Sequence, residues 1–189
     1  MTGIRFTAIA ALLAVAGPTW AVDAGVMKMC VGCHGEDGVG VDADTPIIGG
    51  IPPIVQEDAI YAYIDGDRTC DVKPFMCMAV SKLSEEQVTE LAEHFAAMPY
   101  APAGEEVDPA LAEKGKALHD ASCAICHGAD EPNHEYGILH GQRKNYLRYA
   151  LKHYAAGTRT QLPAMEKQTS ALSEDDIEAL VNFYASYKN

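Results

Sequence analysis

The stretch Cys30-Val31-Gly32-Cys33-His34 recurs 93 residues later as Cys123-Ala124-Ile125-Cys126-His127. In Cys-x-x-Cys-His, two thiols one helical turn apart can add to the two vinyl groups on one edge of a porphyrin. The adjacent His then falls beneath the iron. A single copy also fits a redox dithiol or half a zinc site. A tandem pair makes that coincidence a poor explanation. The pair predicts two covalently bound haem c groups, attached through Cys30, Cys33, Cys123 and Cys126, with His34 and His127 as proximal iron ligands.

Outward from the motifs, the chain aligns with itself. Gly50, Tyr63, Gly66, Arg68 and Thr69 fall on Gly141, Tyr154, Gly157, Arg159 and Thr160 at an offset of 91. Leu83-Ser84-Glu85-Glu86 falls on Leu172-Ser173-Glu174-Asp175 at 89, so the first half carries two insertions of two residues. Pro99-Tyr100-Ala101-Pro102-Ala103-Gly104, unsuited to helix, divides the copies. The expected organisation is a leader over 1–21 and two tandem domains over 22–100 and 101–189.

Both halves read as all-α. Asp108-Pro109 is a helix start, with an acidic cap and a proline at the first helical position. Tyr146, Leu147, Ala150, Leu151 and Tyr154 recur at helical spacing, and Gly157 is placed to end that helix. Ser84-x-x-Gln87 fits a capping box and Ser173-x-x-Asp176 a weaker one, each followed by an apolar stripe. No run alternates in the manner of a strand.

At the N-terminus Arg5 precedes an apolar run from Phe6 to Ala16, and Thr19-Trp20-Ala21 supplies small residues at the cleavage-defining positions. This is the pattern of a secretory signal peptide, cut after Ala21 or alternatively Ala24. It agrees with covalent haem attachment, which bacteria carry out on the periplasmic side, and it predicts a periplasmic protein. The net charge of −13 makes nucleic acid and anionic membrane surfaces poor partners; it suits plain solubility as well as steering towards a basic patch on a redox partner, and charge alone does not choose between them.

The duplication also points to the sixth iron ligands. The second half has a single Met, Met165, and a shift of 89 residues back lands on Met76. Met78 would land on Lys167. His94, His119, His134, His140 and His153 have no His at the matching position of the other half. The expected coordination is therefore His34/Met76 and His127/Met165. Arg68 and Arg159, matched just before the Met segments, are candidates for charge-assisted contacts to haem propionates, against solvated arginines at helix ends.

Cys70 and Cys77 bracket Met76 and have no counterpart in the second half. Two readings stand beside free thiols. One is a short-loop disulfide, suited to an oxidising compartment. The other is a soft copper site, with Cys70, Cys77 and Met78 offering sulfur to Cu(I).

The layout resembles the dihaem cytochrome c4 family: two Cys-x-x-Cys-His motifs, each followed by a Met and a Leu-Ser-Glu-x-x-Ile/Val helix. That resemblance implies two tandem cytochrome c domains. From about Ala110 onward, Lys116-Ala117-Leu118-His119-Asp120, Gly137-Ile138-Leu139-His140-Gly141-Gln142, Pro163-Ala164-Met165-Glu166-Lys167 and Phe183-Tyr184-Ala185-Ser186 resemble the cytochrome subunit of flavocytochrome c sulfide dehydrogenase. The narrower resemblance implies a heterodimer in which an FAD-containing subunit oxidises sulfide. The dihaem subunit would pass the electrons to a soluble periplasmic acceptor. A free-standing c4-like carrier serving a terminal oxidase is the alternative. A matched Met pair argues against a third class, in which an open iron site is itself catalytic.

Overall fold

A computed structural model describes residues 22–70, 74–128 and 136–188; the expected leader over 1–21 lies outside them. The chain forms α1 (Ala24–His34), α2 (Pro53–Ile64), α3 (Phe75–Val80), α4 (Glu85–Ala96), α5 (Pro109–Ser122), α6 (Lys144–Ala155), α7 (Pro163–Thr169) and α8 (Glu174–Ala185). Among the described residues the sole β pairing is an isolated antiparallel bridge, Arg68 to Arg159. None of the helices is long and apolar enough to cross a membrane among the described residues.

The helix boundaries follow the sequence signals. Asp23 caps α1 by accepting from the Gly25 and Val26 amides, and Asp108 caps α5 by accepting from Ala110 and Leu111. Both Ser84 and Ser173 form complete capping boxes, with Gln87 and Asp176 reaching back to the cap amides. Asp176 also meets Lys114, and the hydrogen bonds from Ser173 and Lys114 hold its carboxyl down at about 2. Gly157, at φ 67°, follows α6 in the left-handed conformation that ends helices.

The duplication is visible in the elements. Shifted by 91, α2 coincides with α6 end to end; shifted by 89, α4 coincides with α8. The first helices differ. In the first half the haem motif ends α1, whereas α5 stops at Ser122 and Cys123 to His127 continue as turns. There Cys126 N and His127 N both donate to the Cys123 carbonyl.

Each half has its own core. Val88, Leu91, Ala92 and Phe95 of α4 are buried with Ile47, Ile51 and Val80. The second core joins Leu147 to Ile177, Leu180, Val181, Phe183 and Tyr184. In that half α5 lies directly on α8. A Cβ on Gly115 would sit 2.1 Å from the Ala179 carbonyl oxygen and 2.7 Å from the Phe183 Cβ. Backbone, not a yielding side chain, fills that space, so Gly115→Ala must push the helices apart. The expected loss is about 1–3 kcal/mol, the range for forcing extra volume into a packed core. Denaturant unfolding of the haem-loaded protein measures it, and an unchanged midpoint would contradict the helix contact. Between α1 and α4 the packing is looser, leaving a cleft of about 840 Å³ lined by Val22, Met27, Val31, Glu90 and His94 among others.

The halves meet at equivalent positions. Arg68 and Arg159, matched at the offset of 91, pair with each other across the boundary. Self-pairing of equivalent residues is the mark of a two-fold relation between copies.

Candidate haem sites

His34 closes α1 and is buried, and its Nδ1 lies 3.2 Å from the Pro46 carbonyl oxygen. A ring nitrogen facing a carbonyl must be the donor, which fixes the tautomer and leaves Nε2 unprotonated for a metal. Burial lowers the pKa of His34, the Pro46 contact opposing it in part, so the neutral form needed for ligation is favoured. The loop behind the ring returns to the helix: Gly40 N donates to the His34 carbonyl at 2.7 Å and Val41 N to that of Cys33 at 2.9 Å. Cys30 and Cys33, one turn apart, are free thiols.

In the second half Cys123 and Cys126 are likewise free thiols. Burial raises the thiol pKa of Cys30 and of Cys123, so both stay protonated rather than presenting thiolates. His127 Nδ1 is buried with no hydrogen-bond partner among the described residues. Burial lowers the His127 pKa, with His119 adding to the effect.

Met76 and Met165 occupy equivalent places. Each is half-buried on the first turn of a short helix, α3 or α7, two residues after Pro74 or Pro163. Those helices pack on α2 and α6 respectively. The matched Pro-x-Met is a further sequence signal, because proline ends the preceding loop and presets the helix start that aims the Met.

The matched arginines come together. Arg159 is 8% exposed and stacks over Tyr154 at 4.5 Å, with Tyr146 at 6.0 Å; Arg68 lies over Tyr63 at 5.4 Å. Arg159 Nη2 donates to the Tyr146 hydroxyl at 3.3 Å, while Arg159 Nε and Thr69 Oγ1 are buried without partners among the described residues. Burial alone would push the Tyr146 phenol up, but the Arg159 and Arg68 guanidiniums outweigh it and bring it down to about 8. Two cations, unpaired orphan donors and a depressed phenol describe a boundary short of negative charge. Haem propionates are anions of the right kind for it, and these residues fit the group.

The copper reading is corrected by the structure. Cys70 and Cys77 are joined in a disulfide, with Cα atoms 6.2 Å apart. Disulfide sulfurs are not thiolates and offer Cu(I) nothing comparable. Met78 is 62% exposed, and the described residues contain no cluster of three or more His, Cys, Asp or Glu able to hold a metal. The crosslink instead closes a loop onto the turn that carries Met76. Closing a loop this short contributes roughly 2 kcal/mol.

The competing histidines have other contacts. His119 is buried against Phe183 with Nδ1 3.1 Å from the Tyr184 hydroxyl, and His153 Nδ1 is 2.9 Å from Thr158 Oγ1. His94 lines the cleft beside α1, His140 packs against Phe183, Tyr184 and Tyr187, and His134 lies outside the described residues. One group of residues gave no sign in the sequence. Gln142, Arg143 and Asn145, at the start of α6, reach across the boundary to the loop behind His34.

Comparison with known proteins agrees with this geometry. Residues 110–183 match the family described as cytochrome c oxidase, cbb3-type, subunit III. The thiosulfate dehydrogenase electron acceptor of Thiomonas intermedia is 28% identical over 182 residues, covering 90% of this chain and 82% of that protein. Cytochrome c-554(548) of Halomonas halodenitrificans is 33% identical over 66 residues, covering 35% of this chain and 80% of that protein. Among solved structures, cytochrome c4 of Acidithiobacillus ferrooxidans superposes with a TM-score of 0.76 at 24% identity, over 85% of this chain and 99% of that one. Thiosulfate dehydrogenase (TsdBA) of Marichromatium purpuratum superposes with a TM-score of 0.70 at 25% identity, over 82% of this chain and 36% of that one.

Proposed function

From the premise that the chain belongs to the c-type cytochromes, with the dihaem c4-like layout, we propose that it accepts electrons from a dehydrogenase oxidising an inorganic sulfur compound and passes them to a soluble periplasmic acceptor. The observation that carries this reading is the likeness, running along both halves, to an electron acceptor of thiosulfate dehydrogenase. Thiosulfate dehydrogenase is therefore the favoured partner. A second reading keeps the FAD-containing sulfide dehydrogenase subunit in a heterodimer, and it rests on the motifs from Ala110 to the C-terminal helix.

On this reading Cys30, Cys33, Cys123 and Cys126 hold two haem c groups through thioethers, and His34 with Met76 and His127 with Met165 ligate the irons. The haems supply one-electron chemistry when bound. The residues of the chain do the rest. Burial favours the neutral form of His34, and the Pro46 carbonyl facing Nδ1 fixes its tautomer. Met76 and Met165 would supply thioether sulfur to the irons, a ligand type that raises the potential. Arg68 and Arg159 place positive charge where the two halves meet and would be available there to haem propionates. The signal-peptide pattern supports a periplasmic location.

Native purification tests the partner. The chain is expected to co-purify with a second subunit, either a thiosulfate dehydrogenase or a flavoprotein, told apart by released FAD and by the substrate that the complex oxidises. Recovery of the chain alone and flavin-free from thiosulfate-grown cells would favour the free-standing c4-like carrier.

A further inference from the structure

The start of α6, in the second domain, grips the loop behind the proximal His of the first. Gln142 is 4% exposed and makes a two-point amide pair with the backbone of buried Ile47: Oε1 accepts from Ile47 N at 2.8 Å and Nε2 donates to Ile47 O at 2.9 Å. Ile47 immediately follows Pro46, whose carbonyl accepts from His34 Nδ1. Arg143 extends the grip, donating from Nε and Nη2 to Val39 O at 3.2 and 3.0 Å and from Nη2 to Gly40 O at 3.0 Å. Asn145 Nδ2 adds a bond to Asp44 Oδ1 at 2.8 Å. Three residues of one helix start thus hold the loop from Val39 to Ile47, the segment that positions the Pro46 carbonyl against His34.

The grip runs one way. Ile51 stands at the position matching Gln142 and has no polar side chain to reach back with. His127 Nδ1 has no partner among the described residues. The Gln142 contact therefore has no counterpart at the matching position of the first half.

We propose that Gln142 is a positioning residue that sets the reduction potential of the first haem from the second domain, through Ile47, Pro46 and His34. The inference rests on His34 as a haem ligand and not on the identity of the redox partner. A carbonyl accepting from Nδ1–H makes the imidazole a more basic ligand and favours ferric iron. Releasing that carbonyl favours ferrous iron and raises the potential.

The test uses the full-length, haem-loaded chain with Gln142→Leu, which removes both amide bonds at similar volume. Gln142→Met likewise removes both amide bonds at similar volume and serves as a second, uncharged variant. Both are made in a Met165→Ala background, where the Met-to-iron charge-transfer band reports the first haem alone. Two quantities are read: amide exchange at Ile47, and the potential at which that band disappears on reduction. In Gln142→Leu and in Gln142→Met the Ile47 amide should exchange faster and the band should titrate at a higher potential, with the second haem's Soret wave unmoved. Faster exchange with an unmoved potential would overturn the proposal, as would an equal shift of both haems, which marks general loosening. A native chain lacking covalent haem at Cys30 and Cys33 would overturn the ligand assignment itself. An attached haem indifferent to Gln142 overturns the grip alone.

Discussion

Met165→Ala should remove the Met-to-iron charge-transfer band from one haem of the ferric protein and leave the other intact. Met165 sits on the first turn of α7 just as Met76 sits on the first turn of α3, each two residues beyond a proline. Alanine has no sulfur to reach the iron, so the second haem should become high-spin or take water, and its potential should fall because thioether ligation favours the ferrous state. Near-infrared absorption of the oxidised protein should show about half of the native band, following from one of two ligands removed. An unaltered band would remove Met165 from the iron, and with it the duplication argument for Met76.

The second large effect is expected from Cys123→Ala combined with Cys126→Ala. Both thiols are free in the structure, and thioether bonds are the covalent hold on the group. Intact mass should fall by one haem, and the peptide carrying Cys30 and Cys33 should retain its own. Stability should drop as well. A domain of under 100 residues has a modest core, and a buried macrocycle replaces much of the apolar surface it lacks. Thermal unfolding should therefore split, with the second domain melting first. Two covalent haems in this variant would place attachment elsewhere.

Much of this fold could be read from the residues because the signals were local and occurred twice. The capping serines at 84 and 173, the Asp108-Pro109 start and Gly157 each govern a single turn of backbone, and each appears where the pattern places it. The offsets of 91 and 89 became coincident helix boundaries for the same reason. The contacts between halves are a different matter. Gln142 and Ile47 are 95 residues apart, and a lone Gln beside Gly141 carries no periodicity or spacing that points to a distant amide. The arginines lie between these cases. Their match at positions 68 and 159 was legible, but their pairing across a two-fold boundary requires the domains to be docked. Composition left the disulfide and copper readings open at Cys70 and Cys77, because two sulfurs seven residues apart suit both. Only the approach of the two chains of backbone separates them.

An unequal pair of haems suits a relay, since a difference in potential gives electrons a direction. The two halves differ among the described residues: α1 and α5 carry their motifs differently, the disulfide lies beside Met76 alone, and the start of α6 holds the loop behind His34. In the proposed function, a partner that oxidises a sulfur compound would fill the relay while both irons stay closed to substrate. Rapid mixing tests it most directly. The natively purified complex and the isolated chain, both oxidised, are mixed anaerobically with thiosulfate and, separately, with sulfide, and the haem bands are followed. One of these substrates should reduce both haems of the complex in sequence. The isolated chain should be reduced no faster than an unrelated c-type cytochrome. Fast reduction of the isolated chain, or a complex that answers to neither substrate, would contradict the proposed function.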